Sequence, residues 1–243
     1  MARSVGDLRA AFDVLAGADT ADPRAMPVPL VGPAPSRPVG VTVVADPGGA
    51  GVDPDVRAAV ARAADALSDA GYAVAEGSIP ILEQSLEWYR DLVFGEFRLN
   101  WPMLRRLLGD DGRRYIEFGL ARTPEVDLAR YVAATAGQLA VRRAWGSLQV
   151  SRPLLLGPVC VEQPPAPGDD ARSAEDNERI GRSIALCAAS SFAGLPAVAV
   201  PTGLASGLPQ GVQVIGPAFR EDLCLDAAEV IESACGPIRP LLS

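Results

Sequence analysis

Residues 194–222 read GLPAVAVPTGLASGLPQGVQVIGPAFRED. Ala197-Val198-Ala199-Val200 is a short apolar run stopped by Pro196 and Pro201, the pattern of a strand covered on both faces. Gly211-Val212-Gln213-Val214-Ile215-Gly216 is a second such run, with Gln213 as its polar interruption. Residues 202–207 between them are turn chemistry, because Gly203 and Gly207 are free to adopt positive φ. Two strands joined by a short glycine-rich loop predict a hairpin. Pro217-Ala218-Phe219-Arg220 then leads into Glu221-Asp222, acidic residues placed where a helix N-terminus favours them. Leu223, Leu225, Ala227, Ala228, Val230 and Ile231 follow at the spacings of a largely buried helix. Read this way, the stretch is a buried hairpin and helix with no chemistry of its own.

Working outward, Leu154-Leu155-Leu156 before Gly157-Pro158 predicts a buried strand, residues 161–174 a Pro/Gly/Asp-rich loop, and residues 178–191 a helix. Residues 81–148 read as helical: Trp88, Leu92, Val93 and Phe97 mark one amphipathic segment and Trp101, Leu104, Leu107 and Leu108 another. A longer helix over 127–145 carries Leu128, Tyr131, Val132, Leu139, Val141 and Trp145. Aromatic residues at this spacing are core first, and Trp88 and Trp101 are the ones set aside as candidates to face a substrate. Residues 39–80 form a β-α-β unit. In it, residues 39–44 and 72–75 are the strands, and Asp53 caps a helix with Pro54 at its first position. Residues 17–38 hold six prolines and predict an extended connector, and residues 4–16 a helix capped by Ser4 with Asp7 three residues on. The expected fold class is α/β: a mixed sheet between helices, with a helical insert, forming one incomplete domain over residues 1–243.

Composition sets the outer limits. The chain has 243 residues, is 49% hydrophobic and 21% charged, and carries a net charge of −8, which argues against nucleic acid or an anionic membrane as a partner. The start of the chain lacks the continuous apolar stretch of a signal peptide, and no run is long enough to span a bilayer, so a cytoplasmic location is expected. Cys160, Cys187, Cys224 and Cys235 form no C-x-x-C pair, and His is absent, so neither a metal site nor a cofactor is expected. All 22 basic residues are Arg. An Arg- and Ala-rich chain without Lys fits a GC-rich, bacterial coding sequence.

The 194–222 stretch resembles the C-terminal signature region of the amidase signature family, serine hydrolases of C–N bonds. The resemblance extends further. MARSVGDL at 1–8 is similar to the family's G-P-M-A-R-[ST]-V-x-D-L segment, and AFDVLAGADTADP at 11–23 to its continuation. The helix of the β-α-β unit and RPLLLGPV at 152–159 resemble further family segments, as does ASSFAGLPAVAVPTGL at 189–204. Ser191 stands where many members carry Asn, and Pro153 where Asp often precedes the strand. Such enzymes work with a Ser–cis-Ser–Lys triad that precedes the MARSV segment, and nothing here matches it. The resemblance therefore implies the C-terminal part of an amidase acting on a small amide, with no catalytic residue in this chain. The alternatives are a non-catalytic remnant or scaffold, and a subunit completing a separately encoded N-terminal half or pairing with a second copy.

Other chemistry finds little support. Ser190-Ser191 is the one adjacent serine pair, but a serine hydroxyl needs a neighbouring base, normally His or Lys, and the chain has neither. The pair is kept as a candidate substrate contact. Cys160 lacks a cation other than Arg to hold its thiolate. Asp169-Asp170 and Glu175-Asp176 read as solvated loop acids, and Arg113-Arg114 and Arg142-Arg143 as exposed charges pairing with nearby acids.

Overall fold

The triple leucine at 154–156 lies in the middle strand of the sheet. The computed structural model describes residues 1–236, so the last seven residues of the expected 1–243 domain lie outside the described residues. Within it the chain runs α1 (Val5–Leu15), β1 (Gly40–Val43), α2 (Pro54–Asp69), β2 (Ala73–Glu76), α3 (Leu82–Leu107), α4 (Asp110–Arg122) and α5 (Leu128–Gln149). It continues through β3 (Leu154–Pro158), a short 3₁₀ turn (Asp169–Ala171), α6 (Ala174–Ser183), α7 (Ala185–Ala193), β4 (Ala197–Ala205), β5 (Leu208–Ile215) and α8 (Glu221–Cys235).

The sheet order is β2-β1-β3-β5-β4. β1 pairs in parallel with both β2 and β3, whereas β5 pairs antiparallel with both β3 and β4. Every residue of β1 and β3 is buried. Successive side chains point to opposite faces of a strand, and the leucines divide accordingly. Leu154 and Leu156 join Val41, Val43, Val212 and Val214 in the core under α2 and α8. Leu155 joins Val44, Ile215 and Trp145 in the core under α3, α5 and α7. An apolar run of three is what a strand covered on both faces requires.

Gly157 is needed where β3 passes β1. A Cβ there would lie 2.9 Å from the Val44 carbonyl oxygen and 2.5 Å from Leu186 Cδ2. The hairpin closes tightly: Ala205 pairs with Leu208, so the turn is Ser206 (φ 51°) and Gly207 (φ 78°) alone. Positive φ at both positions is the two-residue geometry that matches strand twist. β4 thus runs on through Thr202–Ala205, residues expected to lie in the turn, with a bulge between Pro201 and Gly203. The hydrogen-bonded register outweighs the glycine signal there.

The helix ends follow the caps read from the sequence. Ser4 accepts from the Asp7 N–H and Asp53 from the Asp55 N–H, and Asp127, not read as a cap, caps α5 by accepting from the Arg130 N–H. The helical insert departs in two ways. α3 continues through Pro102 and joins the two amphipathic segments into one helix. Arg98 on it donates to the carbonyls of Leu120 and Thr123, tying α3 to the end of α4. On α5, Val141 and Trp145 are fully buried, but Leu128, Tyr131, Val132 and Leu139 are exposed. The helix predicted over 178–191 divides into α6 and α7 at Ile184, whose backbone leaves helical geometry.

The connector at 17–38 is anchored by charge. Asp222 at the start of α8 accepts from the Gly32 N–H at 3.1 Å and from Arg220 at 2.9 and 3.0 Å, while Arg220 also donates to the Pro33 carbonyl. Burial pushes the Asp222 carboxyl up. Its hydrogen bonds from Arg220, Gly32 and Leu223 outweigh that and leave it below the usual carboxylate range.

Two outcomes are expected. Gly157→Ala lowers unfolding stability by about 1–3 kcal/mol in a denaturant titration, because backbone rather than a flexible side chain meets the new methyl. Asp222 titrates below its unfolded value of about 4, so its stabilisation is complete above that pH and lost as pH falls through the folded value. Melting temperature therefore drops more steeply on acidification in the parent than in Asp222→Asn. Parallel acid profiles for the two proteins would remove the Asp222 contacts as their cause.

Candidate functional site

The carboxyl ends of parallel strands, where connections leave toward opposite faces, form the natural crevice of an α/β sheet. From β1 the chain crosses to α2 on one face, and from β2 it crosses through α3–α5 on the other before entering β3. At this point a cleft of about 1070 Å³ opens. One wall is the loop after β1, with Asp46 and Asp53. Another is the start of α3, with Ile79, Ile81, Leu82, Leu86, Glu87 and Arg90. The third is the loop after β3 together with α6, with Glu162, Arg179, Arg182 and Ser183. The cleft thus has an apolar side of isoleucines and leucines and a charged side.

The charged side is largely self-paired. Arg179 on α6 bonds the Glu162 carboxylate and reaches Asp176 at 3.5 Å. Asp176 also accepts from Arg172 at 2.8 Å and from the Ser173 hydroxyl. Those bonds, the one from Arg172 first, hold its carboxyl well below the usual range. Asp169 and Asp176 are therefore tied into the 3₁₀ turn and the first turn of α6 rather than dispersed in a solvated loop, whereas Glu175 is exposed. Asp169 pairs with Arg172, and Asn177 fastens the Asp170 carbonyl. Asp46 is the exception in the cleft: one carboxylate oxygen accepts from the Gly51 N–H, and the other is buried without a partner. Ile81, which starts α3, has φ 50° and borders the same cleft. A β-branched residue held in this region is strained.

Beside the cleft, an amide relay fixes the loop after β3 to the hairpin. Gln210 donates to Gln163 at 2.6 Å. Gln163 donates to Asp53 at 3.0 Å and Asp55 at 3.2 Å, and the Ser206 hydroxyl closes onto Asp55 at 2.7 Å.

Ser190 is buried and donates to the Cys187 carbonyl, as an ordinary helical serine does, whereas Ser191 is exposed on α7. Trp88 packs on Phe192 with ring centroids 6.5 Å apart. It also lies over Gly137, where a Cβ would come within 2.3 Å of the indole. Trp101 is half-buried on the distal half of α3. None of these four lines the large cleft. The residues that do line it escaped sequence reading because they meet from three separate segments. The one available signal was position: Glu162 lies four residues beyond the end of a doubly buried strand.

No nucleophile–base pair is assembled among the described residues. Cys160 contacts the Ser183 hydroxyl at 3.1 Å. Burial pushes the Cys187 thiol up, and burial beside Glu221 and Asp222 pushes Cys224 up to about 12. Neither is a thiolate near neutrality. Arg113 pairs with Asp110 as expected, but Arg142 pairs with no acid and donates to the Ala193 carbonyl at 2.7 Å. No cluster of metal-ligating side chains is found among the described residues, and none of their helices is long and apolar enough to cross a membrane.

Comparison with known proteins places this geometry. A family model described as Amidase matches residues 1–225. The chain is 36% identical over 238 residues to an indoleacetamide hydrolase of Bradyrhizobium japonicum, covering 97% of this chain and 51% of that protein. It is 28% identical to a 6-aminohexanoate-cyclic-dimer hydrolase of a Pseudomonas strain, covering 96% of this chain and 52% of that one. A solved 6-aminohexanoate cyclic dimer hydrolase complexed with substrate superposes with a TM-score of 0.76 at 25% identity, covering 99% of this chain and 56% of that chain. The chain belongs to the amidase signature family, and it spans about half the length of the curated relatives it matches.

At about pH 8, iodoacetamide is expected to leave Cys224 unmodified in the folded chain and to label it once denaturant is added. Native-state labelling at the rate of a free thiol would contradict the burial of Cys224 on the inward face of α8.

Proposed function

We propose that this chain is the C-terminal, substrate-facing part of an amidase that hydrolyses a small carboxamide, one incomplete domain whose nucleophile and Lys come from residues outside it. The observation that carries this reading is the 36% identity, sustained over 97% of the chain, to an indoleacetamide hydrolase. The substrate class follows from the same relative and from the cleft. An arylacetamide would lay its ring on Ile79, Leu82 and Leu86 and turn its amide toward the polar side. The carboxamide carbon would be attacked by the serine oxygen, and the C–N bond would break with release of ammonia. Water would then cleave the acyl ester to the carboxylate. The lower identities, 27–30%, to glutamyl-tRNA(Gln) amidotransferase A subunits favour the stand-alone hydrolase. A bacterial, cytoplasmic enzyme fits this reading.

The test is ammonia release from indole-3-acetamide. The purified chain alone is expected to give none, and a protein joining it to a Ser- and Lys-bearing N-terminal half is expected to turn over. In that complete enzyme, Leu86→Ala raises KM for the arylacetamide by about tenfold or more while leaving acetamide unchanged. Turnover by the chain alone would overturn the assignment of the nucleophile to other residues. Equal loss on both substrates would remove Leu86 from the aryl pocket.

A further inference from the structure

The sheet has a second concavity at its other end. β3 and β5 are antiparallel, with Leu155 beside Ile215, and β4 begins at Ala197 opposite the same Ile215. The amino ends of β3 and β4 therefore lie together, away from the cleft. Here the last turns of α5, the 194–196 turn and residues 217–221 enclose a cavity of about 560 Å³.

Its lining combines unspent donors with a flat apolar surface. Gln149 is 6% exposed, lines the cavity, and its Nε2 has no hydrogen-bond partner. A buried amide donor left unpaired is costly in a folded chain. Arg142 lies seven residues earlier on α5, two turns along the same face. Its Nε holds the Ala193 carbonyl and its Nη2 lies against Gly194, and it forms no ion pair among the described residues. α8 starts at the cavity rim, with Glu221 and Asp222 in its first turn facing its N-terminal dipole. Leu195, Pro196, Pro217 and Phe219 supply the apolar walls, and Phe219 is held at φ 62° and is 49% exposed. Glu221 is the one acid in the lining and offsets the Arg142 charge, which disfavours a dianion.

We propose that this cavity is a second ligand site, separate from the cleft, that binds a small organic monocarboxylate with a flat apolar body. The carboxylate takes the Gln149 amide and the Arg142 guanidinium, and the body lies against Pro196, Pro217 and Phe219. The inference does not depend on the amidase reading.

The experiment is calorimetric titration of the purified chain with phenylacetate, with acetate and inorganic phosphate as comparison probes. Saturable binding of one phenylacetate is expected. Acetate should bind at least about tenfold more weakly for want of apolar contact, and phosphate should not displace phenylacetate. Gln149→Leu and Arg142→Ala should each weaken binding by about tenfold or more. Ala218→Trp changes an exposed lining residue, fills the cavity without removing a donor, and should abolish binding in a chain that melts normally. It keeps the test decisive if either donor variant fails to fold. Absence of phenylacetate binding to the folded chain, or unchanged affinity in Ala218→Trp, would overturn the proposal. So would hydrogen-exchange protection appearing at residues 79–87 instead of 217–221.

Discussion

β3 bears the constraint on which the other elements depend. It is the strand at which parallel pairing ends and antiparallel pairing begins, and it is buried along its whole length. A strand in that position must satisfy two apolar faces at once, which Leu154, Leu155 and Leu156 do by alternation. It must also approach β1 closely enough for the Val44 N–H to reach the Leu156 carbonyl at 2.8 Å. Gly157 permits this because any side chain would meet the Val44 carbonyl. α2 and α8 pack on one side of this strand and α3, α5 and α7 on the other, so the two cores share one wall.

That wall decides where the cleft opens. Connections leave β1 and β3 at the same end, and the loops they form cannot be buried without leaving polar backbone unpaired. The structure ties them down instead. The loop after β3 is held to the N-terminus of α2 by Gln163 and to the hairpin by Gln210. Its next residues are fixed to α6 through Glu162 and Arg179. These contacts give the cleft a defined shape on elements that are individually irregular.

Local signals were legible in the sequence, and cross-chain meetings were not. Ser4 and Asp53 cap the helices that follow them, and the hairpin at 197–215 pairs as its apolar runs imply, because these features are decided by residues a few positions apart. The extension of β4 through Thr202 depends on its partner strand and is invisible to turn chemistry. The break at Ile184 carries no Pro or Gly to announce it. The exposed face of α5 reads as core only while its neighbours are unknown. For the cleft, neither family segment, 152–159 or 189–204, supplies a lining residue. The pairing of Glu162 with Arg179 and the strained Ile81 required three-dimensional proximity.

The distribution of charge shows what the cleft can contribute. A general base must be free to accept a proton from substrate, and most of the carboxylates around the cleft are engaged, exposed Glu83 apart. Glu162 faces Arg179, and Asp176 is held by Arg172 and Ser173. Asp53 caps α2 while accepting from Gln163. Asp176, held well below the usual carboxylate range by Arg172 and Ser173, is a poor base, and a guanidinium does not deprotonate in proteins. Asp46 keeps one carboxylate oxygen buried and without a partner beside the cleft. The described residues thus form a cleft wall of apolar surface and fixed polar groups.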